Sequence, residues 1–213
     1  MTTREKILSE SLELFSRRGY EAVSVRDIAR AVGIREASLY NHFPGKRAIF
    51  DSLLAQYSAR WDAFFAGVRM TDGDGRFVAD EPALALFRGL TREGFAALAA
   101  AVFDQYMTDE VNVKLRRVLT IEQYGSDEAA ALFKKVSFGD SLDYQAKLFE
   151  ALMDEGAFVR GDPEIAALEF FSPIFLIFYK YGATERLDEA RALFLRHVDQ
   201  FHKTYAVQAD QGV

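Results

Sequence analysis

The sequence predicts an all-helical protein. Three observations carry that reading. Apolar residues recur at intervals of three and four along almost the whole chain, no run of strict alternation is long enough for a sheet, and cap-forming residues stand where the periodic segments begin and end.

The elements follow in order. A first helix is expected over 3–18, with Ile7, Leu8, Leu12, Leu14 and Phe15 inward and Gly19 as its stop. Ser24 and Asp27 have the spacing of a capping box, so VRDIARAV (25–32) forms a second helix, ended by Gly33. GIREASLYNHF (33–43) forms a third. Pro44 and Gly45 break the chain before a long helix over 46–70. The clearest loop is TDGDGRFVAD (71–80); a calcium loop starting at Asp72 would need an oxygen ligand at its fifth position and a glutamate at its twelfth, and Arg76 and Ala83 stand there instead. Further helices are expected over 82–107 with a weak point near Leu90 and Thr91, over 110–124, over 126–155 with an irregularity near Gly139, over 163–181 and over 186–206. Pro173 falls inside one of these and should kink it, freeing a carbonyl about one turn back.

The chain has 213 residues, 50% apolar and 27% charged, enough for a core of one average domain plus a small one. The absence of cysteine excludes disulfides, thiolate chemistry and cysteine-ligated zinc. MTTREKILSE lacks the apolar core of a signal peptide, and the longest apolar run, FFSPIFLIFY at 170–179, is about half the roughly 20 residues that span a bilayer. The expectation is a soluble, cytoplasmic protein with no membrane partner. The net charge of −6 hides an asymmetry: residues 1–50 hold nine Lys/Arg and six Asp/Glu, a net of +3, whereas 51–213 hold 17 and 26, a net of −9. A basic head on an acidic body suits a protein whose head alone approaches a polyanion.

Two short helices joined by a glycine turn make a helix-turn-helix candidate. Ala29 stands where the helices approach closely, Gly33 where the turn wants a left-handed residue, and Leu39 where the third helix must plug the core. Winding the third helix at 100° per residue with Leu39 inward turns Ala37 and Asn41 outward, flanked by Ser38 and Tyr40. That face is short, neutral and polar. A purely solvated helix carries Lys and Glu there, whereas a helix entering the major groove needs short side chains and an amide, such as that of Asn41, able to pair with adenine.

The run SVRDIARAVGIREASLYNHFPGKRAIF closely resembles the DNA-binding domain of the TetR/AcrR family of bacterial transcriptional regulators, over residues 4 to about 51. The resemblance implies a DNA-binding domain at 1–48 and a C-terminal ligand-binding and dimerisation domain at 49–213, in an all-helical homodimer that binds a near-palindromic operator and releases it when a small molecule occupies the C-terminal domain. It places Arg26, Glu36, Ala37 and Asn41 toward bases and counts Arg35 among the DNA-binding residues. It places Ser38, Tyr40, His42 and Lys46 toward phosphates, Lys46 at a helix N-terminus that itself favours an anion. Tyr40 and Phe43 also suit packing within the small domain. Arg35 and Glu36 depart from the small or amide residues common in the family there, so the resemblance does not carry the operator sequence. His42 has no second metal ligand one helical turn away, so no metal is expected.

Of the 19 phenylalanines, 16 lie after residue 50, a composition that makes an aromatic core and suits a cavity for an apolar effector. Polar or aromatic residues standing among apolar ones are the pocket candidates: Tyr106, Glu122, Gln123, Tyr124, Phe175, Tyr179 and Lys180. The last two helices are apolar on more than one face, which suggests a four-helix interface with a second copy. His197 and His202, five apart, read as interface or surface residues. No nucleophile motif, phosphate-cradling loop or metal constellation supports an enzyme, and no cofactor is expected. The rival reading is a DNA-binding regulator with no small effector, acting as an activator or under control of a protein partner.

Overall fold

The helix-start signals are made in full. In the computed structural model, which describes residues 1–67, 81–89, 91–182 and 186–207, Thr2 and Glu5 close a reciprocal capping box at the start of α1 (Thr3–Arg18). Ser24 and Asp27 do the same for α2 (Val25–Val32). Each box satisfies two of the amide groups that a helix start leaves without a partner. Gly33 ends α2 in the left-handed region at φ 79°, ψ 32°, its N–H reaching the carbonyls of Ala29 and Arg30.

The next helix, α3 (Glu36–Tyr40), is shorter than the stretch 33–43 expected from periodicity. Gly33 is spent on the end of α2, with Ile34 N–H also bonded to Ala29. At the far end Pro44 disfavours a helical Phe43, so the chain leaves the helix at Asn41. Leu39 and Phe43 are nonetheless buried, as a core plug requires. Then α4 runs Lys46–Gly67. The expected end of this helix at Met70 and the loop 71–80 lie outside the described residues.

Of the expected weak point, Leu90 lies outside the described residues, and Thr91 is non-helical: α5 covers Glu81–Gly89 and α6 Arg92–Met107, where the Thr91 hydroxyl caps the amide of Gly94. α7 covers Glu110–Glu122. The expected irregularity near Gly139 is a full turn of π-helix, Lys135–Gly139, lying between α8 (Asp127–Lys134) and α9 (Asp140–Asp154). α10 (Pro163–Tyr181) carries Pro163 in its first turn, capped by Asp162, and continues through Pro173; α11 covers Leu187–Tyr205. No strand occurs among the described residues; a single antiparallel bridge, Phe158 to Ala206, ties the end of α11 back to the segment before α10.

Packing divides the chain into two compact units. The first comprises Met1–Ala63 and Glu110–Val136, so it holds the whole stretch 1–48 together with α7 and α8. Its core brings Ile7 and Phe15 of α1, Ile28 of α2, Leu39 of α3, Phe50 and Tyr57 of α4, and Leu115 and Leu119 of α7 to nearly complete burial. Leu14 is only half-buried, while Ser11 and Ser16 turn inward. The second unit comprises Phe64–Asp109 and Ser137–Val213. There Phe103, Phe178 and Phe194 form one cluster, and Phe149 and Phe201 anchor another, with Phe170 packed against both. Burying such side chains contributes about 1.5–3 kcal/mol each, which is why phenylalanine-rich helices pack this way.

Beside Pro173, the carbonyl of Phe170 accepts a hydrogen bond from Nε2 of His197 on α11, at 2.8 Å. His197 is half-buried and bonds α11 to α10. His202 lies against the ring of Phe95, 5.7 Å between centroids.

Candidate nucleic-acid interface

The head begins with a fixed turn. Tyr20, between α1 and α2, stacks obliquely on Phe50 at 4.8 Å and on Phe15 at 5.4 Å. Its backbone is held at both ends: the N–H donates to the Glu122 carboxylate at 2.7 Å, and the carbonyl accepts from Nζ of Lys46 at 2.8 Å. The Lys46 ammonium also stands 4.0 Å from the centre of the Tyr20 ring, a cation–π arrangement. Lys46 is the first residue of α4, so this lysine is aimed by the core of the head.

Other cations serve the head's own helices. Nζ of Lys6 bonds the carbonyl of Val32 at the end of α2, where a helix favours positive charge. Arg18 bonds the carbonyl of Ala22, and the Arg4 guanidinium lies 4.7 Å from the centre of the Phe43 ring. Asp27, bonded by the hydroxyl and N–H of Ser24, has its carboxyl held below the ordinary range by those bonds.

Around this frame the residues expected to meet DNA share one surface pattern. Arg26, Arg35, Ala37, Tyr40, Asn41 and His42 are exposed, and Glu36, Ser38 and Lys46 are half-buried. Tyr40 is 52% exposed, so packing inside the domain does not occupy it; Phe43 does that work. Arg26 and Glu36 meet across the turn, Nε to Oε1 at 2.8 Å. The carboxylate raises the pKa of the Arg26 guanidinium still further.

The seven candidates for a ligand pocket are drawn from both units. Glu122, Gln123 and Tyr124 belong to the first unit, whereas Tyr106, Phe175, Tyr179 and Lys180 belong to the second. Glu122 is buried with its carboxylate on the Tyr20 amide, Gln123 bonds the carbonyl of Thr120, and Tyr124 is 89% exposed. In the second unit Tyr106 stacks on Phe178 at 4.1 Å. Phe175 packs between Tyr179, at 4.5 Å, and Phe138 of the π turn, at 4.8 Å. The Lys180 ammonium lies 5.1 Å from the centre of the Tyr181 ring. Sequence reasoning missed Tyr20, whose role depends on partners 26 and 102 residues away. It also missed Asn112, buried and bonded by Nε of Arg60.

Among the described residues no cluster of three or more His, Asp or Glu could hold a metal ion, and no helix is long and apolar enough to cross a membrane.

Comparison with known proteins agrees with this geometry. Residues 7–53 match the family described as bacterial regulatory proteins, tetR family. The biofilm operon icaADBC negative transcriptional regulator IcaR of Staphylococcus aureus is 42% identical over 48 residues, which are 22% of this chain and 26% of IcaR. Beyond that quarter, likeness is of fold. A crystal structure of a TetR-family transcriptional regulator from Mesorhizobium loti is 21% identical, with 96% of this chain and 97% of that one covered and a TM-score of 0.66. SmeT, the repressor of the Stenotrophomonas maltophilia multidrug efflux pump SmeDEF, is similar in its complex with triclosan: 20% identical, 98% and 94% covered, TM-score 0.64.

Proposed function

We propose, from the match of residues 7–53 to the tetR family, that the protein is a dimeric repressor of transcription, released from its operator by a hydrophobic small molecule. The observation that carries the DNA-binding part is the surface of the first unit: Ala37, Asn41 and Tyr40 stand out around the buried Leu39, between Arg26, Arg35 and the braced Lys46. Short and amide side chains at the outermost positions suit base edges, and the flanking cations suit phosphates.

The dimer is supported by α10, which leaves Ile165, Leu168, Leu176 and Tyr179 exposed along one arc. The effector is supported by the aromatic content of the second unit and by the solved complex of SmeT with triclosan. A ligand acts only by binding the operator-released state more tightly than the bound one, since equal affinity for both shifts nothing. The test is selection of duplexes from a random pool by the full chain, then titration of apolar compounds against the selected complex, with quenching of the single Trp61 as a second readout. Selection of a near-palindrome and its release by an apolar compound support the reading. Apolar compounds that bind tightly and leave operator affinity unchanged would favour a regulator without a small effector.

A further inference from the structure

We propose that Glu36 reads no base itself and is a positioning residue, holding Arg26 by Nε so that the rest of its guanidinium meets a guanine in the major groove. This rests on the DNA-binding reading above.

Arg26 is the second residue of α2 and Glu36 the first of α3, and their side chains join across the turn with Nε 2.8 Å from Oε1. Arginine has five N–H groups in a planar fork. Glu36 takes the single one on Nε, and the four on the terminal nitrogens make no hydrogen bond with the described residues. The side chains remain accessible, Arg26 at 75% and Glu36 at 42%. Guanine offers O6 and N7 as a pair of acceptors, which suits a fork whose plane is already fixed. An exposed arginine otherwise samples many rotamers, and immobilising it on binding has an entropic cost that a brace removes beforehand. Asp27, the nearest alternative acceptor, is engaged by Ser24 and faces Arg18 at 3.7 Å.

The pairing also explains how a carboxylate is tolerated on a surface that approaches phosphates, since Arg26 offsets its charge. The rival chemistry for Glu36 is to accept from the N4 amino group of cytosine directly. The two differ in which base pair depends on Glu36.

The experiment measures affinities of the full chain for every single-base variant of the selected half-site. Wild type is compared with Arg26→Ala, Glu36→Ala, Glu36→Gln and the double Arg26→Ala/Glu36→Ala, each checked for folding by circular dichroism. The expected result is that Arg26→Ala flattens the preference at one G·C pair by about tenfold or more. Glu36→Ala flattens the same pair by about threefold or more, and adds nothing once Arg26 is gone. Glu36→Gln, which keeps an oxygen able to accept from Nε, retains the larger part of the preference. Loss at a different base pair, or no loss at the Arg26 pair, overturns the proposal while leaving the DNA-binding reading intact. A wild type that selects no sequence overturns both.

Discussion

The carboxylate of Glu122 accepts the backbone N–H of Tyr20 at 2.7 Å, across 102 residues of chain. This bond joins the end of α7 to the turn after α1, beside the apolar packing of Leu115 and Leu119 in the same unit. Tyr20 in turn gives its carbonyl and ring to Lys46, so the turn between α1 and α2, the last residue of α7 and the first residue of α4 form one connected set. Lys114 to Glu13 at 2.8 Å and Arg47 to Glu128 at 3.1 Å add ion pairs within the same unit.

Glu122→Ala leaves the Tyr20 amide without its acceptor in a half-buried place, and should destabilise the first unit by about 1–3 kcal/mol. Glu122→Gln keeps an acceptor oxygen and should lose clearly less. Urea unfolding of both variants, at unchanged denaturant slope, checks this; equal losses would mean that the charge rather than the bond matters.

Gly19 and Gly33 separate space from backbone. Both have φ 79°, but Gly33 is left-handed at ψ 32° with nothing within 4 Å of an added Cβ, whereas Gly19 has ψ 160° and an added Cβ would lie 3.3 Å from Oε1 of Glu122. Gly33→Ala should cost about 1–2 kcal/mol from backbone alone. Gly19→Ala, in a region nearly confined to glycine, should cost about 1–3 kcal/mol and more than Gly33→Ala. Thermal melts of the two single variants give the order, and the reverse order would contradict the Glu122 geometry.

What the sequence made legible follows from the range of the forces involved. α1 ends at Gly19, and α2 begins at Ser24 and ends at Gly33, as their caps predicted, because a capping box and a terminal glycine act within four residues. α3 is overextended by periodicity, which does not register that Gly33 serves α2 and that Pro44 constrains Phe43. Glu122 shows the limit most clearly. A carboxylate among apolar residues signals burial, but its partner is fixed only by the tertiary fold. The Arg26–Glu36 pair is similar, since residues ten apart meet only because the turn folds back.

Asn41 and Lys46 should fail differently. Asn41→Ala removes an exposed amide and should cost about 1–3 kcal/mol on the operator while relaxing specificity at one base pair. Lys46→Ala should weaken operator and random DNA alike and reduce the salt slope by about 1. It should also lower the melting temperature, since the Tyr20 carbonyl loses its donor. Binding measured against salt on both duplexes separates the two, and equal losses for Asn41→Ala would remove it from the base-reading set.

Acid should find Asp199. Its bonds to Arg92 and then to Lys203 bring its carboxyl from 3.8 down to about 2. A depressed carboxyl contributes stability above its unfolded pKa and loses it as pH falls through the folded value. The difference in melting temperature between wild type and Asp199→Asn should therefore hold constant above about pH 5 and close between about pH 4 and pH 2. A difference that persists at pH 2 would show that the bonds do not depend on the charge.

The assembly has the most direct test. Ile165, Leu168, Leu176 and Tyr179 are 50%, 46%, 66% and 48% exposed on α10, at intervals of three, eight and three that keep them on one helical arc around Ser172. Four large apolar side chains aligned in this way suit a self-complementary two-fold interface, in which each copy covers the other's stripe. Leu176→Glu puts a charge into that apolar interface twice, and even paired with Lys180 one turn on it would remove the apolar contact from the stripe. Wild type should sediment as a dimer at micromolar concentration and Leu176→Glu as a monomer with unchanged helix content. Operator affinity should fall with it, because two heads spanning half-sites about 34–36 Å apart bind as one ligand only while joined. A Leu176→Glu dimer would move the interface off this stripe, and a monomeric wild type would end the dimer proposal.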